Sequence, residues 1–128
     1  MRTVAIETHG CKLNQADSGT LVAQFSEAGY RVVPSSEAAD VYIVNSCTVT
    51  HVADRKARQA LRAARLRSPD GMIVATGCYA ERSRESLVAM GEIDLIVGNT
   101  DRDQLVRRVV EWMGEPAALG SPEMAYQG

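Results

Sequence analysis

Short apolar runs alternate along this chain with stretches whose hydrophobic residues recur every three or four positions. Thr3-Val4-Ala5-Ile6-Glu7-Thr8 reads as a first strand, after which Leu21, Val22, Phe25 and Ala28 repeat at helical spacing until Gly29 stops the pattern. Tyr30-Arg31-Val32-Val33 is a short strand ended by Pro34, and Val41-Tyr42-Ile43-Val44 is a continuous apolar run of the kind buried on both faces of a sheet. Ala53, Ala57, Ala60, Leu61 and Ala64 then form the narrow apolar stripe of a second helix. Ser68-Pro69-Asp70-Gly71 is a turn, followed by the strand Met72-Ile73-Val74-Ala75, a short helix bearing Leu87, Val88 and Met90, and a closing strand Leu95-Ile96-Val97. In the last helix Leu105, Val106, Val109, Val110 and Met113 face inward; Thr100 with Asp103 resembles a capping arrangement at its start, and Gly114 and Pro116 end it.

Strands alternating with helices predict an α/β domain: a five-stranded, mostly parallel sheet with helices on both faces, since each parallel crossover needs a return element of fixed hand. The expected strand order is flavodoxin-like, 2-1-3-4-5, with Val41-Tyr42-Ile43-Val44 central. Residues 1–114 form this one domain. From Glu115 to Gly128 periodicity is lost amid Pro116, Gly120, Ser121 and Pro122, which reads as a linker or disordered tail.

Composition narrows the chemistry. At 128 residues and 45% hydrophobic content the chain builds a single core, and a formal charge of -2 argues against a strongly basic nucleic-acid module. The basic residues are nonetheless unevenly spread, with Arg55, Lys56, Arg58, Arg62, Arg65 and Arg67, six of the fourteen, on the second helix. That run is read either as a solvated face or as a contact for RNA phosphates or an acidic neighbouring domain. No run approaches the roughly 20 apolar residues of a membrane span. An odd cysteine count without a secretory signal points to reduced thiols in a cytoplasmic protein.

The three cysteines carry the functional signal. Cys11, Cys47 and Cys78 each end a predicted strand, in Thr8-His9-Gly10-Cys11, Asn45-Ser46-Cys47 and Thr76-Gly77-Cys78. In the expected order those strands are the first, third and fourth, consecutive neighbours roughly 4.8 Å apart, so the fold gathers three thiols at the carboxyl edge of the sheet, beside its topological switch point. Three thiolates on one rim suit an iron–sulfur cluster with one iron left without a protein ligand. Gly10 and Gly77 allow sharp turns and close approach of a bulky cluster, and helices starting after each cysteine favour the thiolate. Competing readings are three small buried hydrophobes, a zinc site with His9 as fourth ligand though without the usual closely spaced pair, and a thiol redox protein, which lacks a C-x-x-C pair. Cys78 to Arg84 matches a cysteine-phosphatase loop in spacing, but its interior has no glycine and places Glu81 where a phosphate needs open backbone donors.

These residues resemble a known family. HGCKLNQADS around Cys11, IVNSCTVT around Cys47 and ATGCYAE around Cys78 are similar to the N-terminal domain of radical S-adenosylmethionine methylthiotransferases, over residues 2 to 113. The Cys-Lys-Leu-Asn-Gln and Cys-Thr-Val-Thr segments, with Ala-Asp-Arg-Lys-Ala-Arg-Gln after them, look most like the branch acting on threonylcarbamoyladenosine beside the tRNA anticodon, rather than on isopentenyladenosine tRNA or a ribosomal protein.

The resemblance implies that Cys11, Cys47 and Cys78 bind an auxiliary 4Fe-4S cluster whose open iron carries the sulfur-bearing group to be transferred; it leaves the sulfur donor undefined. It further implies a second 4Fe-4S cluster and S-adenosylmethionine in a radical domain with a C-x-x-x-C-x-x-C motif, followed by a small RNA-binding domain. Neither is within these 128 residues, so the chain reads as an excised domain, inactive alone, whose residues 115–128 begin the connection. Asn14, Gln15, Asn45 and Asn99 are candidate hydrogen-bond donors to cluster sulfides, or ordinary turn residues. The alternative from another class is a metal-free docking module for RNA or a partner, with structural cysteines.

Overall fold

A computed structural model describes residues 2–9, 12–34, 36–46, 51–91, 93–98 and 104–113. Five strands, β1 (Thr3–His9), β2 (Arg31–Val33), β3 (Val41–Ser46), β4 (Met72–Thr76) and β5 (Leu95–Val97), form one sheet in the order β2-β1-β3-β4-β5. All four pairings are parallel. The expected order is therefore found, with a sheet that is wholly rather than mostly parallel. Every residue of β3 and β4 is buried, as befits central strands covered on both sides.

The helices are α1 (Lys12–Glu27), α2 (His51–Arg67), α3 (Cys78–Arg82), α4 (Arg84–Met90) and α5 (Leu105–Met113). Because side chains alternate along a strand, the sheet has two distinct faces. On one, Val4, Val41, Ile43, Met72, Val74 and Val97 pack beneath Leu21 and Phe25 of α1 and Leu105 and Val109 of α5. On the other, Ala5, Tyr42, Val44, Ile73 and Ala75 meet Ala57, Leu61 and Ala64 of α2, Tyr79 and Ala80 of α3 and Leu87 of α4. Each large apolar side chain so buried contributes roughly 1.5–3 kcal/mol.

Local chemistry fixes where these elements stop. Past α1, Gly29 takes a φ of 91°. The Tyr30 N–H then donates to Phe25 O at 2.9 Å and the Gly29 N–H to Ser26 O at 3.1 Å, closing the helix with two backbone bonds. The Phe25 and Tyr30 rings meet edge to face at 5.2 Å, sealing the same turn. The short helix expected to bear Leu87, Val88 and Met90 is α4, preceded by a further short helix, α3, from which Ser83, with φ and ψ of -120° and 36°, separates it. Only Leu87 of that pattern is fully buried; Val88 points to solvent. In the last helix Leu105 and Val109 are buried while Val106 and Val110 pack at the margin of the core. Thr100, Asp103 and residues 114–128, including the expected cap and tail, lie outside the described residues.

Candidate metal centre

The register of three strands sets the geometry of the carboxyl rim. His9 pairs with Ser46 across β1 and β3, and Asn45 with Thr76 across β3 and β4. The three strands that precede the cysteines are thus consecutive neighbours ending at one level. Cys47 follows Ser46 directly, while Cys11 and Cys78 follow their strand ends by two residues. Cys11 and Cys47 lie outside the described residues; of Cys78 the backbone is described, as the first residue of α3. Among the described residues no group of three or more His, Cys, Asp or Glu is arranged to hold a metal ion.

Two features tie the loop after β4 to the end of β3. Gly77 has a φ of 99°, a conformation glycine adopts at little cost. A Cβ there would collide with the carbonyl oxygen of Ser46 and lie 2.8 Å from Asn45 Oδ1. The missing side chain therefore makes room for the neighbouring strand, whereas the sequence suggested room for an inorganic cluster. Beyond that contact, Arg82 of α3 grips Asp54 in the first turn of α2 through two bonds of 2.9 and 3.2 Å. Its guanidinium also lies over the Tyr79 ring at 5.7 Å, and Arg58 donates to the Tyr79 hydroxyl at 3.3 Å. The helices that follow Cys47 and Cys78 are latched together by these groups.

Beneath the rim the two faces carry different polar groups. Toward α1, the Thr8 and Ser18 hydroxyls lie 2.6 Å apart and Asn45 Nδ2 donates to Ser18 Oγ at 3.0 Å. Asn45 is fully buried, and this bond gives its amide a structural task on the α1 side. Asn14 and Gln15 belong to the first turn of α1, with side chains outside the described set, as is all of Asn99.

Toward α2 runs a longer chain of bonds. His9 Nε2 lies 2.7 Å from Glu7 Oε2, the Tyr42 hydroxyl donates to Glu7 Oε1 at 2.7 Å, and Arg67 donates to the Tyr42 oxygen at 3.3 Å. Burial, reinforced by the Glu7 carboxylate, pushes the Tyr42 hydroxyl up to about 12. His9 thereby has its Nε2 engaged by Glu7. Sequence reasoning missed this network and the Asp54–Arg82 latch. Glu7 and His9, two residues apart on a strand, share a face, but Tyr42 joins them only through pairing across the sheet.

Ser46 adds a buried hydroxyl to the rim. Ser46 is 1% exposed, and its Oγ has no hydrogen-bond partner among the described residues. A buried hydroxyl without a partner is costly, and this one sits immediately before Cys47. A buried hydroxyl with no partner among the described residues, register-matched strand ends and the starts of α1 and α2 at the same edge, where helix dipoles favour negative charge, form a rim suited to an anionic metal–thiolate group. The residues present fit such a group.

Comparison with known proteins agrees with the motifs. Residues 3–98 match the model described as "Uncharacterized protein family UPF0004". The threonylcarbamoyladenosine tRNA methylthiotransferase MtaB of Aquifex aeolicus is 44% identical over 110 residues, 86% of this chain and 27% of that protein. The protein of the same name from Bacillus subtilis is 40% identical over 115 residues, 90% of this chain and 26% of that protein. A tRNA-2-methylthio-N(6)-dimethylallyladenosine synthase of Chloroherpeton thalassium is 36% identical over 99 residues, 74% of this chain and 22% of the relative. The chain thus spans about a quarter of the length of the curated relatives it matches. The resemblance carried by the three cysteine motifs is the one these relatives share, and the chain belongs to the UPF0004 family.

Proposed function

We propose that this chain is the auxiliary cluster-binding domain of a tRNA methylthiotransferase that adds a methylthio group to the base of threonylcarbamoyladenosine next to the anticodon. The observation that carries the reading is the register His9–Ser46 and Asn45–Thr76, which ends the three cysteine-bearing strands side by side. Cys11, Cys47 and Cys78 would hold a 4Fe-4S cluster through three thiolates. When bound, the cluster supplies an iron open to the sulfur being transferred.

The chain's own residues do the rest. Gly77 sets the backbone of the Cys78 loop against Ser46, Asp54 and Arg82 hold α2 and α3 in one arrangement, and Ser46 offers a hydroxyl at the rim. With three cysteines in all and none closely spaced, the radical step and its S-adenosylmethionine belong to another domain of the full-length enzyme. The threonylcarbamoyl branch is favoured over the dimethylallyl one because the relatives bearing that name reach 44% and 40% identity, against 36%.

Anaerobic reconstitution with iron and sulfide tests the reading. About four iron and four sulfide per chain are expected from the cluster type assigned, with visible charge-transfer absorption that is lost in Cys11→Ala, Cys47→Ala or Cys78→Ala while the far-ultraviolet dichroism stays unchanged. Iron content unaltered by Cys47→Ala removes that ligand from the assignment. No uptake by the folded chain moves the metal-free docking reading ahead.

A further inference from the structure

The basic run of α2 is divided by the fold into two sets. Arg58, Arg65 and Arg67 turn to partners within the chain: Tyr79, Asp94 at 2.6 Å, and Tyr42. Arg65 also donates to the Pro69 and Gly71 carbonyls, so it acts as a staple beneath β4. Arg55 and Lys56 are exposed, and neither makes a hydrogen bond or ion pair among the described residues. With exposed Gln59 and Arg62 they form one outward stripe, and Arg55 to Arg62 spans about 10 Å along the helix axis.

An ordinary solvated helix face alternates acids with bases three or four residues apart, each such pair adding a few tenths of a kcal/mol. This one does not. From Arg55 to Arg67 there is no carboxylate, so Arg55, Arg58, Arg62 and Arg65 face like charges at those spacings. The helix holds six basic residues against Asp54 alone, a charge of +5; the rest of the chain holds eight basic and fifteen acidic residues, a charge of -7. Positive charge is gathered on one helix of an otherwise acidic molecule. That helix starts at the cysteine rim, with Asp54, its single acid, already committed to Arg82. Segregation of this kind steers a polyanion to one surface and away from the others.

We propose that the outward stripe of α2, carried by Arg55 and Lys56 and continued by Arg62, docks the phosphate backbone of RNA beside the rim. The proposal rests on the tRNA reading above and deepens it by naming the surface. No base-reading geometry is implied; ammonium and guanidinium heads on a helix contact phosphates whatever the sequence.

The test uses the 128-residue chain without metal, in a chelator, and an anticodon stem-loop RNA as the probe, with binding followed by fluorescence anisotropy at several salt concentrations. Arg55→Gln with Lys56→Gln is expected to weaken binding about tenfold near physiological salt. The same pair should reduce the slope of log affinity against log salt by about 1.4–1.8, the value for two lost phosphate contacts. The control, Arg31→Gln with Arg107→Gln, removes the same charge from exposed positions elsewhere and should leave the slope nearly unchanged. An unaltered affinity and slope in the α2 pair overturns the proposal, as expected if the stripe serves an acidic protein neighbour. An equal loss in the control pair also overturns it, since net charge alone would then explain the effect. Absence of RNA binding by the parent chain overturns it as well. Because the measurement needs no cluster, failure of iron uptake leaves it readable, and iron uptake with no effect of the α2 pair sinks this inference alone.

Discussion

The two faces of the sheet are built from different materials. Under α1 and α5 the contacts are among large aliphatic and aromatic side chains, Leu21, Phe25, Ile43, Val74 and Leu105, with the Thr8 and Ser18 hydroxyls and the Asn45 amide near the rim. Under α2, α3 and α4 alanines, Ala5, Ala57, Ala64, Ala75 and Ala80, alternate with larger side chains such as Leu61 and Ile73, and the arginines of α2 reach Tyr42, Tyr79 and Asp94. The first face is a store of hydrophobic stability. The second spends its contacts on placing charged groups and on latching together the helices that follow two of the cysteines.

Phe25→Ala separates the two roles most sharply. It opens a void in the α1 face and should cost about 3–5 kcal/mol in denaturant unfolding, while leaving iron uptake intact in the molecules that remain folded. Comparable loss of uptake per folded molecule breaks the division. Gly77→Ala acts on the other side: its φ of 99° is disfavoured for alanine, and the added Cβ meets the Ser46 carbonyl. The expected cost is about 3 kcal/mol, combining left-handed strain and overpacking, and here cluster loading should fall together with stability.

Tyr42→Phe is smaller, about 1 kcal/mol near neutral pH for one hydrogen bond to Glu7, and it has a distinct pH signature. The Tyr42 hydroxyl sits at about 12 in the folded chain, against about 10 for tyrosine generally. Its protonated form is the one the fold favours, so this contribution is fully present below pH 10 and is lost as pH rises from 10 to 12. The loss amounts to about 2–3 kcal/mol at 1.36 kcal/mol per unit. Stability measured across that window should slope downward in the parent chain and distinctly less in the phenylalanine variant; parallel slopes would remove Tyr42 from the account. Smallest is Ser46→Ala. Deleting a buried hydroxyl with no partner among the described residues should shift apo stability by no more than about 0.5 kcal/mol, toward greater stability if at all. A clear destabilisation would mean that Ser46 is already satisfied within the chain.

How much of this was legible in the sequence depends on the range of the interaction. Val41 to Val44 announced a central strand because only a strand covered on both faces tolerates an unbroken apolar run. The order of all five strands is the flavodoxin-like one expected for alternating strands and helices. Gly29 and Gly77 were readable as turns since few other residues accept their backbone angles. What escaped were partnerships made across the fold. Asp54 meets Arg82 and Arg65 meets Asp94 at separations of 28 and 29 residues, and the Glu7–Tyr42 bond spans 35. None has a local pattern, because each depends on which turn of a helix comes to rest over which strand. The arginines of α2 were visible as a run, but their division into inward and outward sets needed the packing of α2 on β3 and β4.

The Gly77–Ser46 contact bears on the order in which the domain and its proposed cofactor come together. Bringing two points 31 residues apart into contact costs a disordered chain about 3 kcal/mol of closure entropy, and here folding meets that cost in seating Gly77 against Ser46. A metallocentre added afterwards would meet the ends of β3 and β4 already brought side by side, with the end of β1 beside them. Assembly should therefore follow folding, and chelation of the iron should return a folded apoprotein, unlike domains whose chain collapses when their metal is withdrawn.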